Sequence, residues 1–216
     1  MITTRHLAAV LLVALLGPAP ALPAQWDRLT REQALDETRN PQVEKRRLAF
    51  ARLAEVGTMD DVPVVLAALW DEEELIRGMA EQVVWGIWMR ADDSVVDPMF
   101  QTGVRLLVEN EAQAAIEKFD EVIVIKPGFA EAWNRRGDAW VFLEDFDRAL
   151  EDYGRALALN PYHFGALESC GRIWLERGEY RKAAGYFRRA LDLNPNLLEM
   201  ALVLSELEKK LGNDDI

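Results

Sequence analysis

The sequence predicts an all-α fold of stacked helix pairs, on three observations. First, a set of small, aromatic and proline residues recurs every 34 positions without slipping. It comprises Gly103, Gly137 and Gly171; Ala115, Ala149 and Ala183; Phe119, Tyr153 and Phe187; and Pro127, Pro161 and Pro195. A fixed period of that length marks one supersecondary unit used repeatedly. Second, the apolar residues between these positions follow helical spacing, and short polar turns separate the runs. Third, half of the 216 residues are hydrophobic, whereas nine prolines and thirteen glycines are few and sit mostly at element boundaries. That composition suits a packed helical core and excludes a disordered chain.

In chain order, residues 1–24 have the pattern of an export signal. Arg5 and His6 make a short basic start, and Leu7 to Leu16 is an apolar run too short to span a bilayer. Gly17, Pro18 and Pro20 break it, and Ala19-Pro20-Ala21 presents small residues at the spacing that signal peptidase reads. Cleavage after Ala21 and cleavage after Ala24 are both open, and an uncleaved anchor or an organellar presequence are the alternatives. No cysteine follows the run to carry a lipid, and the single Cys170 suits an oxidising compartment. The expectation is a periplasmic or secreted protein, with no stable membrane insertion after cleavage.

Residues 26–96 form a second helical segment. The stretch from Trp26 to Arg39 is polar, with Ala34 and Leu35 its only aliphatic pair, and is either a weak helix or a linker. A 31-residue period follows: Asn40, Arg46, Leu48, Ala49 and Leu53 correspond to Asp71, Arg77, Met79, Ala80 and Val84. Val62, Val65, Leu66 and Leu69 make one helical stripe between them. Acid at Asp71-Glu72-Glu73 favours the positive end of a helix from Glu74 to Met89. The run from Val64 to Trp88 resembles a HEAT-like repeat, a helix, a turn with an aspartate, then a helix with an arginine. The resemblance implies that Asp71 pairs with Arg46 or Arg77 as a structural contact.

Residues 97–211 carry the 34-residue period as three units, 97–129, 130–163 and 164–197, plus one further helix. The middle unit has Trp133, Arg136, Gly137, Trp140, Ala149, Tyr153, Ala156 and Pro161. The third has Leu167, Cys170, Gly171, Trp174, Ala183, Phe187, Ala190 and Pro195, and the first has Met99, Thr102, Gly103, Leu106, Ala115, Phe119, Val122 and Pro127. This resembles the tetratricopeptide repeat, W-x-x-L-G-x-x-Y, then A-x-x-x-F, then proline. Arg136 and Thr102 depart from the usual leucine. The resemblance implies a right-handed α-solenoid of helix-turn-helix repeats. The glycines and alanines leave room where paired helices cross, the aromatics fill the space between helices, and the prolines end each second helix. Helices are predicted over 97–109, 111–125, 130–143, 146–159, 164–177, 180–193 and 197–211. The last has a polar face of Glu206, Glu208, Lys209 and Lys210, as a cap on a finite array requires. Residues 212–216 are a tail.

Function is narrowed mainly by exclusion. A net charge of −12, from 37 acidic and 25 basic residues, argues against nucleic acid and leaves basic protein segments permissible. One cysteine and two histidines leave little for a metal centre or histidine catalysis, so no enzyme, metal or cofactor is expected. His163, in an inter-repeat turn, is expected at the surface, and Cys170 in the core. The resemblance implies a concave groove lined by first helices that receives a peptide or helix of a partner protein. Its residues here would be Phe100, Val104, Asn134, Arg135, Asp138, Glu168 and Arg172, with Val141 and Leu175 beside them. Asn134 and Arg172 would hold a backbone or carboxylate, and Asp138 and Glu168 would meet a basic side chain. The apolar Phe100 and Val104 argue against a clamp for a C-terminal carboxylate. The alternative is a structural module that self-associates through exposed tryptophans such as Trp85, Trp88 or Trp133.

Overall fold

The computed structural model describes residues 29–213. The signal pattern of residues 1–24 and the last three residues of the tail lie outside them. The described secondary structure is helical, without strands. None of these helices is long and apolar enough to cross a membrane. The chain divides into two compact units between Ile87 and Trp88. Residues 88–96, assigned from sequence to the first segment, therefore go with the repeats.

The first unit begins with α1, Arg31–Glu37, which decides between helix and linker at that point. A reciprocal cap starts it: the Gln33 amide donates to the Thr30 hydroxyl at 3.2 Å, and Gln33 Oε1 accepts from the Thr30 amide at 2.9 Å. Next come α2, Val43–Val56, α3, Val62–Ala67, and α4, Glu74–Trp88, whose last residue falls to the second unit. Short 3₁₀ turns, Met59–Asp61 and Ala68–Trp70, bracket α3. Phe50, Leu53, Val62, Val65, Leu69, Ile76 and Val84 are fully buried, giving the unit an apolar core of its own.

Two aspartates, Asp61 buried and Asp71 half-buried, tie this unit's turns to its helices. Asp61 accepts from Arg31 Nε at 2.7 Å, from Arg31 Nη2 at 2.6 Å and from the Thr58 amide at 2.8 Å. Burial pushes the Asp61 carboxyl up, but Arg31 and the Thr58 amide outweigh it and hold it below its ordinary value. The Asp71 carboxylate goes to Arg46, whose Nη2 donates at 3.0 Å and whose Nε lies 2.9 Å away. Arg77 donates instead to the Asp71 carbonyl, at 2.9 Å. Of the two partners left open by sequence, Arg46 takes the ion pair.

The second unit holds α5, Val96–Val108; α6, Ala112–Ile125; α7, Ala130–Phe142; α8, Phe146–Leu159; α9, Phe164–Glu176; α10, Tyr180–Leu193; and α11, Leu198–Asn213. The expected boundaries hold to within two residues. Consecutive helices pair as hairpins α5/α6, α7/α8 and α9/α10, and α11 packs on α10. Within each hairpin the first helix brings a glycine against an aromatic ring of the second. A Cβ on Gly171 would lie 2.4 Å from the Phe187 ring, with 2.7 Å for Gly137 and Tyr153 and 2.6 Å for Gly103 and Phe119. No side chain fits at that crossing, which is why glycine recurs there.

The hairpin turns repeat one backbone device. Asn110, Glu144 and Gly178, each 34 residues apart, have left-handed φ of 62°, 59° and 73°. The amide after each bonds five residues back, Glu111 to Leu106, Asp145 to Trp140 and Glu179 to Trp174, all at 2.9 Å. This is the Schellman closure of a helix end, and it satisfies carbonyls that α5, α7 and α9 would otherwise leave open. Between repeats, the buried Asn160 and Asn194 side chains accept from the Tyr162 and Asn196 amides at 3.2 and 3.0 Å. Pro161 and Pro195 follow them, setting turns that no helix can run through.

Candidate functional site on the first helices of the repeats

The seven residues expected to line a groove separate into three groups. Phe100 is fully buried, 5.8 Å from the Phe119 ring and 4.9 Å from Phe129. It is core and not groove. Val104 packs half-buried against the same apolar cluster and joins it. In both cases the helix turns these apolar positions toward the paired second helix, which buries more surface than exposure to a groove would.

Asn134, Arg135 and Asp138, all on α7, are also buried, at 3%, 5% and 8% exposure. Arg135 Nε donates to Glu131 Oε1 at 2.7 Å, and its Nη1 to Asp138 Oδ2 at 3.2 Å. The Tyr153 hydroxyl of α8 donates to Asp138 Oδ1 at 2.8 Å, and Asn134 Nδ2 reaches Glu131 Oε1 at 3.4 Å. The other Glu131 oxygen is 2.6 Å from His163 Nε2. His163 Nδ1 in turn accepts the Ala166 amide at 3.0 Å, capping the first turn of α9. With Nδ1 accepting, Nε2 carries the proton that His163 donates to Glu131. His163 is thus fully buried, not in a surface turn.

Burial and charge set the protonation of this cluster. Burial pushes Glu131 up, yet Arg135 and His163 outweigh it and hold its carboxyl below the ordinary value. Burial raises Asp138, and Arg135 only partly opposes it. Burial, with the Asp138 charge beside it, pushes the Tyr153 phenol well up. Cys170, 2% exposed as expected for a core position, has its thiol pushed up to about 12 by burial. The network therefore holds charge in place and offers no activated nucleophile.

Only the third group is open. Arg172 Nε and Nη2 donate to Glu168 Oε1 at 2.9 and 2.7 Å, and Nη2 lies 3.6 Å from Glu199 Oε1 on α11. Both ends of this trio stay partly solvated. Leu198 and Leu202, one turn apart on α11, are 73% and 70% exposed. The tryptophans offered for self-association are less open: Trp88 is buried, and Trp133 lies under the Arg136 and Arg155 guanidinium groups at 4.9 and 5.6 Å. In the first unit a concavity of about 350 Å³ is lined by Thr38, Arg46, Val64, Asp71 and Glu72 among others, but Arg46 and Asp71 there bond each other. Among the described residues no group of three or more histidine, cysteine or carboxylate side chains is placed to hold a metal ion.

A family description, tetratricopeptide repeat, matches residues 141–197. Those residues carry the tetratricopeptide repeat. A TPR repeat-containing protein of Rhizobium etli is 28% identical over 86 residues, 40% of this chain and 42% of the relative. The match thus spans less than half of that protein. Solved structures of tetratricopeptide domains share the fold. The first TPR of Spaghetti (RPAP3), bound to the HSP90 peptide SRMEEVD, has a TM-score of 0.52 at 22% identity, over 56% of this chain and 96% of that one. The Sgt2 TPR domain from Aspergillus fumigatus has 0.52 at 18%, over 57% and 83%. The Yersinia enterocolitica type III secretion chaperone SycD, in complex with a peptide of the translocator YopD, has 0.52 at 13%, over 59% and 100%. Two of these three hold a peptide.

Within the tetratricopeptide array, sequence reasoning missed Glu131, His163, Glu199 and Leu202. Glu131 stands four residues before Arg135, a spacing that pairs charges on one helix face. His163 stands just before a helix, where a side-chain acceptor caps the first turn. Glu199 and Leu202 fall in the helix assigned as a cap, one period beyond Gly165 and Glu168.

Proposed function

We propose that this protein is a non-enzymatic interaction scaffold, exported from the cytoplasm, that binds a segment of a partner protein on the first-helix face of its repeats. The observation that carries the proposal is the open surface formed by Glu168, Arg172 and Glu199 beside the exposed Leu198 and Leu202. It joins paired charges, able to fix a peptide's register, to an apolar patch able to supply affinity. The peptides held by two of the fold's solved relatives support this reading, as does the acidic balance of the chain for a basic partner. Export rests on the pattern of residues 1–24 alone.

Capture from the envelope or secretory fraction with the full chain, followed by mass spectrometry, should return one dominant protein. Arg172→Ala combined with Leu202→Ala should weaken its capture tenfold or more with helicity unchanged by circular dichroism. Capture undiminished by the double change would place the partner elsewhere on the molecule.

A further inference from the structure

The part of the first-helix face around Glu131, Arg135 and Phe164 is covered by the chain itself. Residues 88–93 run across it and meet the three repeats in turn. The Trp88 ring stacks on His163, with centroids 4.5 Å apart and planes 17° from parallel, and tilts against Phe164 at 5.0 Å. Met89 Sδ lies 3.6 Å from Arg135 Nη2. The Ala91 amide donates to Asp97 Oδ1 at 2.6 Å, its carbonyl accepts from Lys126 Nζ, and the Asp93 amide donates to Asp97 Oδ2 at 3.0 Å. A left-handed residue, Asp92 with φ 51°, turns the chain between them.

This division of labour is that of peptide recognition. Lys126 of the array grips the Ala91 carbonyl, and Asp97, a few residues along the same turn, accepts from the amides of residues 91 and 93. The aromatic and thioether side chains of residues 88 and 89 sit on a prepared surface, which supplies selectivity. His163 is held flat for Trp88 by two bonds, one to Glu131 and one from the Ala166 amide. Arg135 is likewise held by Glu131 and Asp138 before it meets Met89. Both receiving groups are fixed by the array's own network, independently of what lies on them.

We infer that this face is a recognition surface for a segment carrying a tryptophan followed by a thioether or aliphatic side chain. Residues 88–93 are its internal occupant, and an outside segment of that kind binds only as they leave. The inference rests on the first-helix face being the binding face. It adds the partner's chemistry and a competitor built into the chain. The apparent affinity for an outside segment is the intrinsic one reduced by the fraction of molecules in which residues 88–93 are undocked.

The test uses a fluorescently labelled synthetic peptide of residues 86–95, its counterpart bearing Trp88→Ala, and the full chain. Fluorescence anisotropy is read with wild type and with two variants. Trp88→Ala empties the aromatic position, and Met89→Ala removes the contact with Arg135 without altering the receiving surface. Circular dichroism melts report whether each variant is folded. The peptide should bind a folded Trp88→Ala chain at least tenfold more tightly than wild type, with Met89→Ala between them, and the altered peptide should bind none of the three. Equal affinity for wild type and the folded variants, or no binding to a folded variant, overturns the inference. Loss of fold in both variants overturns it too, since residues 88–93 would then be fixed core. If only one variant folds, that one decides. No outside partner is needed, so partner capture at Arg172 can succeed while this binding fails, and the converse.

Discussion

Glu131 and Asp138 share one guanidinium, yet their carboxyls move in opposite directions on folding. Glu131 receives Arg135 Nε at 2.7 Å and His163 Nε2 at 2.6 Å, whereas Asp138 receives a longer bond from Arg135, at 3.2 Å, and a neutral phenol. The signs of their linkage to pH differ accordingly. Glu131, depressed in the fold, contributes stability above the ordinary carboxylate range that is lost as pH falls through its folded value. Asp138, raised in the fold, contributes most below the ordinary value of about 4 and loses that contribution as pH rises through its folded value. Asp138→Asn should therefore flatten the fall in stability above about pH 4, leaving the acid limb of Glu131 in place. Urea melts of both proteins between pH 3 and pH 8 check this. An unchanged slope above pH 4 would mean that Asp138 titrates alike in the folded and unfolded chains.

The hairpin turns show how one local rule is met unequally. Each requires a left-handed residue, and the chain supplies Asn110 and Gly178 but also Glu144, whose Cβ and carbonyl crowd at φ 59°. Glu144→Gly should stabilise the protein by roughly 0.5–1 kcal/mol, the relieved strain less the entropy that glycine gains when unfolded. Gly178→Ala should lower stability by a similar amount, and urea midpoints at constant slope measure both. The helices of the second unit were legible in the sequence because their packing is periodic: Gly137 must meet Tyr153 as Gly171 meets Phe187. The turns were less so, since glutamate carries no left-handed signature. The buried network was hidden for a different reason. Asn134, Arg135 and Asp138 are polar residues on a helix, which by default face solvent, and their burial comes from Met89 and Tyr153 at other places in the chain. Local patterning carries no trace of that cover. His163 was hidden because its capping nitrogen does the work expected of serine, threonine, asparagine or aspartate.

At the scale of the molecule, the array ends in a helix that is half cap and half surface. Met200, Leu204 and Leu207 of α11 are buried, while Leu198 and Leu202 face outward. A polar cap was expected from Glu206, Glu208, Lys209 and Lys210, and those residues are exposed, but Leu198 and Leu202, earlier on the same exposed side, leave the first turns of the helix as an apolar surface. Deleting residues 198–216 should uncover the α10 face that receives the three buried side chains. Each such side chain is worth about 1.5–3 kcal/mol of burial, so the truncated chain should lose about 5 kcal/mol or more. It should also sediment as aggregate at concentrations where the full chain does not. A truncated chain as stable and monodisperse as the full one would show that α11 contributes little to the array.

The turns between the repeats carry a consequence for the chemical lifetime of the protein. Asparagine ordinarily deamidates when the backbone nitrogen of the next residue attacks the side-chain amide to close a succinimide ring. At Asn160 and Asn194 that nitrogen belongs to Pro161 and Pro195, which have no N–H, and both side chains are engaged and shielded from water. The route is closed at the two asparagines on which the inter-repeat turns depend. The same two residues that stop each helix thus also protect it against ageing, so these joints keep their geometry over times in which exposed asparagines elsewhere acquire negative charge.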